Sequence, residues 1–330
     1  RKESSAASDV YKRQIYKMKL IDLHCDTISC LMGENKENTL KRNNLSVDLE
    51  KLQKGDYLAQ TFALFVNKEH VKSPHDYCMK MAEKFFQEIK DNSSLIALAL
   101  NYDDIIQNDR DGKLSAILSI EEGATIEGSL KNLKNFYDIG VRMMTLTWNH
   151  ENEIGYPNKG EENYNKGLKS FGIESVEYMN ELGMLVDVSH LSDGGFYDVA
   201  KVSKKPFIAT HSNARSVTGH MRNLTDDMIK ILANKGGVTG INFCSAFMGD
   251  HGYNTYIDDM IKHITHIRNV GGIEVLAIGT DFDGISSKVE ISNAGEMGKL
   301  VEALEKAGFK EEDIEKIYYK NALRLIKDVL

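Results

Sequence analysis

Short apolar runs alternate with amphipathic stretches along this chain. The runs are LIDLHCD (20–26), YLAQTFALFV (57–66), LSAILSIEE (114–122), VRMMTLTWN (141–149), MLVDVSH (184–190), FIATHS (207–212), GVTGINF (237–243) and VLAIGTDFDG (275–284). Each is rich in Ile, Leu, Val, Thr or aromatics, which are strand residues. Between them the spacing becomes helical. Val176, Met179 and Leu182 form one stripe, closed by Gly183 as a left-handed cap. Met228, Ile231 and Leu232 form a second, opened by Thr225 as N-cap with Asp226 and Asp227 in the first turn. Ile257, Met260, Ile261, Ile264 and Ile267 form a third, ended by Gly271-Gly272. A last stripe runs through Ile317, Ala322, Leu325 and Val329. Strand–helix alternation predicts βαβ units and a parallel sheet. Eight strands in this order fit a closed (β/α)8 barrel of the TIM type better than two doubly wound halves. No GxGxxG follows the first strand, which disfavours a dinucleotide fold. The expectation is one barrel domain over residues 18–330. Residues 1–17 lack any periodicity and are expected to be a disordered tail or an artefact of the chain start.

Composition narrows the class. Of 330 residues, 42% are hydrophobic and 27% charged, as in ordinary soluble globular proteins. The net charge of −8 argues against nucleic acid or an anionic membrane as partner. Four scattered cysteines make neither a disulfide framework nor a CxxC site, and they suit a reducing compartment. No run of about 18 apolar residues exists, so no membrane span is expected. The first residues lack the apolar stretch of a signal peptide. A cytoplasmic location is the expectation.

Five of the runs end in acid/base or metal-ligand side chains: His24 and Asp26, Glu121 and Glu122, His190, His211, and Asp281 and Asp283. A barrel gathers its strand C-termini on one face, where active sites sit. His24 and Asp26 stand two apart on a strand, so both point to one side and can hold one cation, with Cys25 turned into the core. His190 and His211 end adjacent strands and can hold a second. Neither pair supplies the three protein ligands usual in a catalytic zinc site. A carboxylate from the third strand would bridge both ions. Strand alternation favours Glu121 for this, with Glu122 left as the alternative. Two ions about 3.5–4 Å apart share a water whose pKa falls toward about 7, giving a hydroxide nucleophile. Asp281 is the candidate to take a proton from that water and return it to the leaving amine. Arg222 is a candidate clamp for a substrate carboxylate.

Blander readings apply elsewhere. Asp283-Gly284 reads as turn chemistry. Asp187, Ser189 and His190 lie within four residues on one strand and no GxSxG elbow is present, so serine catalysis is discounted. His263 and His266 read as a solvated surface pair on one helix, and His70, His75 and His251 as loop residues. Trp148 either walls a pocket or packs the core.

DLHCDT (22–27), LTWN (146–149), DVSH (187–190), ATHSNARSV (209–217), MRNLTDDM (221–228), GGVTGINF (236–243) and GTDFDG (279–284) together resemble the renal or membrane dipeptidases, a family of zinc metallopeptidases. The resemblance spans about Leu20 to Leu325. It implies a (β/α)8 barrel, a two-zinc site and hydrolysis of dipeptides, including ones with a D-residue at the C-terminal position. Carried over by motif, one zinc is held by His24, Asp26 and bridging Glu121, the other by Glu121, His190 and His211. The proton-handling aspartate matches Asp281 and the carboxylate-binding arginine matches Arg222. A homodimer is implied by resemblance alone. Two positions depart from the family pattern. A substrate-contacting histidine of the animal enzymes is replaced by Trp148, with Asn149 or His150 as partial substitutes at the substrate site. The usual EGG after the third strand reads EEGA (121–124).

The expected activity is therefore a binuclear zinc dipeptidase acting on L,L- and L,D-dipeptides through a metal-bridging hydroxide. The alternatives are a related metal-dependent amidohydrolase acting on another amide, lactone or ester, and a metal-binding barrel without turnover.

Overall fold

The computed structural model describes residues 18–33 and 38–330. The expected tail, residues 1–17, lies outside the described residues.

Eight parallel strands close into a barrel: β1 Leu20–Cys25, β2 Tyr57–Phe65, β3 Leu114–Glu121, β4 Val141–Thr145, β5 Leu185–Asp187, β6 Ile208–Ala209, β7 Val238–Ile241 and β8 Leu276–Ile278. Adjacent strands pair in the order β2-β1-β8-β7-β6-β5-β4-β3, and β3 returns to β2 through a seven-residue register from Ala59↔Ser115 to Phe65↔Glu121. The (β/α)8 barrel expected from the alternation is the observed fold. A ninth short strand, Ile96–Leu98, has no counterpart among the eight expected runs. It pairs with the start of β3 at Ile96↔Leu114, on the edge that β4 takes over from Leu118 onward.

Strand ends arrive earlier than the apolar runs imply. β4 stops at Thr145, and Leu146–Asn149 belongs to the loop beyond it. β5 covers only Leu185–Asp187. Backbone at the strand tips turns left-handed at His190 (φ 66), Asp281 (φ 60) and Asp283 (φ 69), which ends the ladder and redirects those side chains.

The predicted helical stripes form helices with the expected caps. Ser170–Leu182 ends at Gly183 with φ 75. Asp226–Asn234 opens on Thr225, whose hydroxyl accepts from the Met228 amide. Ile257–Gly271 buries Ile257, Met260, Ile264 and Ile267. One apolar cluster takes a side chain from every barrel strand, among them Ile21, Ile117, Leu185 and Val238, together with Leu325, Ile326 and Val329 of the C-terminal helix. That helix, Asn321–Val329, thereby seals the face opposite the strand tips. No helix among the described residues is long and apolar enough to cross a membrane.

His263 departs from the expected surface pair. It is fully buried, accepting from the Ala214 amide at Nδ1 (3.1 Å) and donating from Nε2 to the Met248 carbonyl (3.0 Å). It stands three residues after Met260 and four before Ile267, so helical periodicity itself places it on the buried face. His266 is half-buried and pairs with Asp226 at 2.7 Å.

Candidate active site

The strand tips bring together side chains separated by more than 250 residues. His24 Nε2 lies 3.2 Å from Glu121 Oε2, 3.4 Å from Asp26 Oδ2 and 3.9 Å from Asp281 Oδ1. Glu121 Oε1 lies 3.1 Å from His190 Nε2 and 3.6 Å from His211 Nε2. Glu121 therefore sits between two groups that each fit one cation: His24, Asp26 and Glu121, and Glu121, His190 and His211. A third grouping joins His24, His211 and Asp281. All of these side chains are buried, and Asp26, Glu121, His190 and Asp281 line a cavity of about 820 Å³.

Hydrogen bonds set the face that each imidazole presents. His211 Nδ1 lies 2.7 Å from Thr210 Oγ1, and that hydroxyl donates to Asp187 Oδ2 at 2.6 Å. Its one proton being committed to Asp187, Thr210 accepts from Nδ1–H and leaves His211 Nε2 as a bare lone pair. His190 Nδ1 donates to Asn149 Oδ1 at 3.3 Å, which frees its Nε2 in the same way. The two Nε2 atoms face one another at 3.1 Å, with Glu121 Oε1 beside them. Three electron-rich atoms converge with no proton to share, an arrangement that a cation between them relieves. His24 Nε2 and Asp26 Oδ1 are likewise buried without a hydrogen-bond partner among the described residues. Nitrogen and carboxylate ligands in this number suit a divalent ion such as zinc.

Electrostatics follow from burial and close charge. Burial opposes charge on His24, but Glu121 and Asp26 outweigh it and hold its pKa well above the usual histidine value. Burial also opposes ionisation of Glu121, yet His24, His190 and His211 keep its pKa well below the carboxylate range. Burial, then Arg222, push His190 down to about 4. Burial and the His24 charge put His211 well below the usual value. Burial and Glu121 raise Asp26 to about 6. Asp281 is pushed up to about 8, mainly by burial, against the pull of His24. Its Oδ2 accepts from Asn242 Nδ2 at 2.9 Å.

The remaining sequence candidates fall around this cluster. Glu122, the alternative bridge, turns away from the imidazoles and accepts from Asn152 Nδ2 at 2.6 Å. Arg222 is buried, donates to the His211 carbonyl (3.2 Å) and to Ser212 Oγ (3.4 Å), and lies over the Phe247 ring. Its Nε has no partner, and no salt bridge reaches it among the described residues. Trp148 and Asn149 both line the cavity, and Trp148 packs edge-on against Phe65 at 4.8 Å. His70, expected as a plain loop residue, also lines it. Asp283 is a joint: it accepts from Thr27 Oγ1 and the Ser46 amide, both at 2.7 Å. A Cβ at Gly284 would collide with the carboxylates of Asp26 and Asp281, so a side chain there would displace the cluster.

Sequence reasoning missed the role of Asp187, which appeared there only as part of a discounted triad. It accepts from the amides of Ser189 and Thr210 and from the hydroxyls of Thr145 and Thr210. Asp22 does the same across the barrel, accepting from the Thr280 amide and hydroxyl and from the His24 amide. The available signal was the spacing: each carboxylate precedes a strand-tip histidine by two or three residues, and Thr210 and Thr280 immediately precede His211 and Asp281.

Comparison with known proteins now decides the family. The model of the membrane dipeptidase family, peptidase family M19, matches residues 9–330. The chain belongs to the membrane dipeptidase family. Membership makes it a metallopeptidase and implies a metal cofactor. An uncharacterized dipeptidase of Schizosaccharomyces pombe is 30% identical across 99% of this chain and 84% of its own length. A Klebsiella pneumoniae protein, described as uncharacterized and encoded in the pqqA 5' region, is 32% identical over 74% of this chain and 92% of its own length. Among solved structures, a metallopeptidase of Rhodobacter sphaeroides, liganded with a phosphinate mimic of L-Ala-D-Ala, superposes with a TM-score of 0.87. It covers 95% of this chain and 99% of its own at 23% identity, a likeness of fold.

Proposed function

We propose that this member of the membrane dipeptidase family is a two-zinc dipeptidase acting on L,L- and L,D-dipeptides. One observation carries the reading: Glu121 stands within 3.6 Å of three imidazole Nε2 atoms and is shared by both ligand groups. His24, Asp26 and Glu121 would hold one ion, and Glu121, His190 and His211 the other. Two ions held there would supply a Lewis acid for the scissile carbonyl and would lower the pKa of a bound water to about 7, the source of the hydroxide expected of the site.

The chain's own residues do the rest. The Arg222 guanidinium, buried beside His211 without a carboxylate partner, binds the free carboxylate of the substrate. Anchoring the free carboxylate beside His211 is the basis on which dipeptides would be preferred over longer peptides. Asp281 carries the proton at Oδ1, the oxygen turned toward His24, while Asn242 holds Oδ2. It takes the proton from the attacking water and delivers it to the departing amine. Phe65 and Trp148 wall the cavity and exclude water from one side. Tolerance of a D-residue is supported by the L-Ala-D-Ala mimic bound to the Rhodobacter sphaeroides neighbour. A homodimer in the cytoplasm completes the proposal, carried by the sequence resemblance and by cysteine usage.

The test is turnover of L,L- and L,D-dipeptides, a tripeptide and simple esters by purified protein, with metal analysis alongside. Dipeptide turnover that vanishes with chelator and returns with zinc, at two ions per chain, supports the proposal. Turnover confined to esters or lactones transfers the site to the related amidohydrolase reading. Bound metal without any turnover overturns both.

A further inference from the structure

Glu122 neighbours the bridging carboxylate in sequence but serves another part of the site. It is fully buried and adopts φ 106 and ψ 100, a conformation strained for any side chain. A glycine would make the same turn without strain. The carboxylate explains what the strain secures. Its Oε1 accepts from the Ala124 amide (2.9 Å) and from Asn152 Nδ2 (2.6 Å), and its Oε2 accepts from the Trp148 amide (3.4 Å). Asn152 is equally committed. Its Nδ2 also donates to the Leu146 carbonyl (2.8 Å), and its Oδ1 accepts from the amides of Ile154 (2.8 Å) and Gly155 (3.1 Å). The two side chains thus tie the loop after β3 to two points in the first part of the loop after β4, Leu146–Trp148 and Ile154–Gly155. That second loop carries Trp148, whose ring faces His190 at 6.3 Å, and Asn149, whose Oδ1 accepts from His190 Nδ1.

We propose that Glu122 and Asn152 form a buried bracket that positions Trp148 as the aromatic wall of the cavity and Asn149 as the orienting partner of His190. Both are positioning residues: neither is among the side chains that line the cavity. All partners of the Glu122 side chain are donors, so an acceptor-only carboxylate fits where an amide does not. The kinetic consequence rests on the cavity being the dipeptide site; the structural consequence does not.

Trp148 is the sole tryptophan of the chain, so its fluorescence reads the bracket directly. Glu122→Gly, Glu122→Gln and Asn152→Ala are compared with the parent in the zinc-loaded full chain. Folded variants, by far-ultraviolet circular dichroism, are expected to show a red-shifted Trp148 emission and stronger quenching by acrylamide. Against a dipeptide, KM rises and kcat falls together, with kcat/KM lower on the order of ten- to a hundred-fold, because a small misplacement of positioning groups is costly. Parent-like emission and quenching in the folded variants overturn the bracket. Failure of all three to fold makes the pair a folding element and also overturns the positioning role. If the parent turns over no dipeptide, the proposed function fails, while Trp148 emission still decides the bracket.

Discussion

The Nε2 atoms of His190 and His211 face each other at 3.1 Å although their side chains leave adjacent strand tips in different ways. His190 turns inward through a left-handed residue at φ 66, whereas His211 is steered by Thr210, whose hydroxyl is held by Asp187. The pair is thus set by backbone conformation at His190 and by a hydroxyl relay at His211.

Removing that support should weaken metal binding at the proposed site without removing a proposed ligand. Thr210→Val keeps the shape and deletes the hydroxyl, and Asp187→Asn changes the donor pattern beneath it. Each should cost on the order of 10–100-fold in metal affinity or activity, as outer-shell changes do. Competition with a chromophoric chelator measures it, and unchanged affinity in Thr210→Val would remove the relay from the account.

Asp281 offers a sharper division between binding and proton transfer. Asp281→Asn retains the Asn242 neighbour but cannot shuttle a proton. Activity should fall by about 10²–10⁴-fold, with the metal bound as in the parent. A variant that keeps its metal and its kcat would show that the proton travels elsewhere.

The proposed carboxylate clamp, Arg222, is buried with Nε unpartnered. Arg222→Lys loses the two-pronged geometry. KM should rise by about ten-fold or more, and a C-terminally amidated dipeptide should suffer the same loss with the parent enzyme. Equal turnover of free and amidated dipeptides would place the carboxylate elsewhere.

His263 gives a pH dependence remote from the metal ligands. Burial pushes its pKa down to about 4, because its Nδ1 already accepts from the Ala214 amide and has no place for a second proton. Above about pH 6.5 the ring is neutral in both folded and unfolded chains. As pH falls from there, the unfolded chain gains a proton that the folded chain refuses until about pH 4, so stability drops across that window. The full loss is about 3 kcal/mol. Urea midpoints taken in chelator from pH 7 to pH 4.5 should fall less steeply for His263→Asn than for the parent. Parallel slopes would acquit this residue.

Much of the site was legible from periodicity. His24 at the end of β1 and Asp26 just beyond it fall in one candidate ion-binding group, and Glu121, which alternation preferred over Glu122, is the carboxylate that stands among the imidazoles. His263 was misread although its spacing from Met260 and Ile267 already assigned it to the buried face. The strand Ile96–Leu98 escaped notice because three residues carry no measurable period.

Sequence alone determined the order of strands and helices, the barrel they imply and the family motifs at the strand tips, because hydrophobic period and local caps are short-range properties. Tertiary structure decided which polar atoms meet. Asp187 reaches His211 through a threonine on the next strand, and Glu122 grips a loop some 30 residues away. Such partnerships depend on inter-strand register and on the left-handed turns at His190 and Asp281, neither of which leaves a repeating mark along the chain.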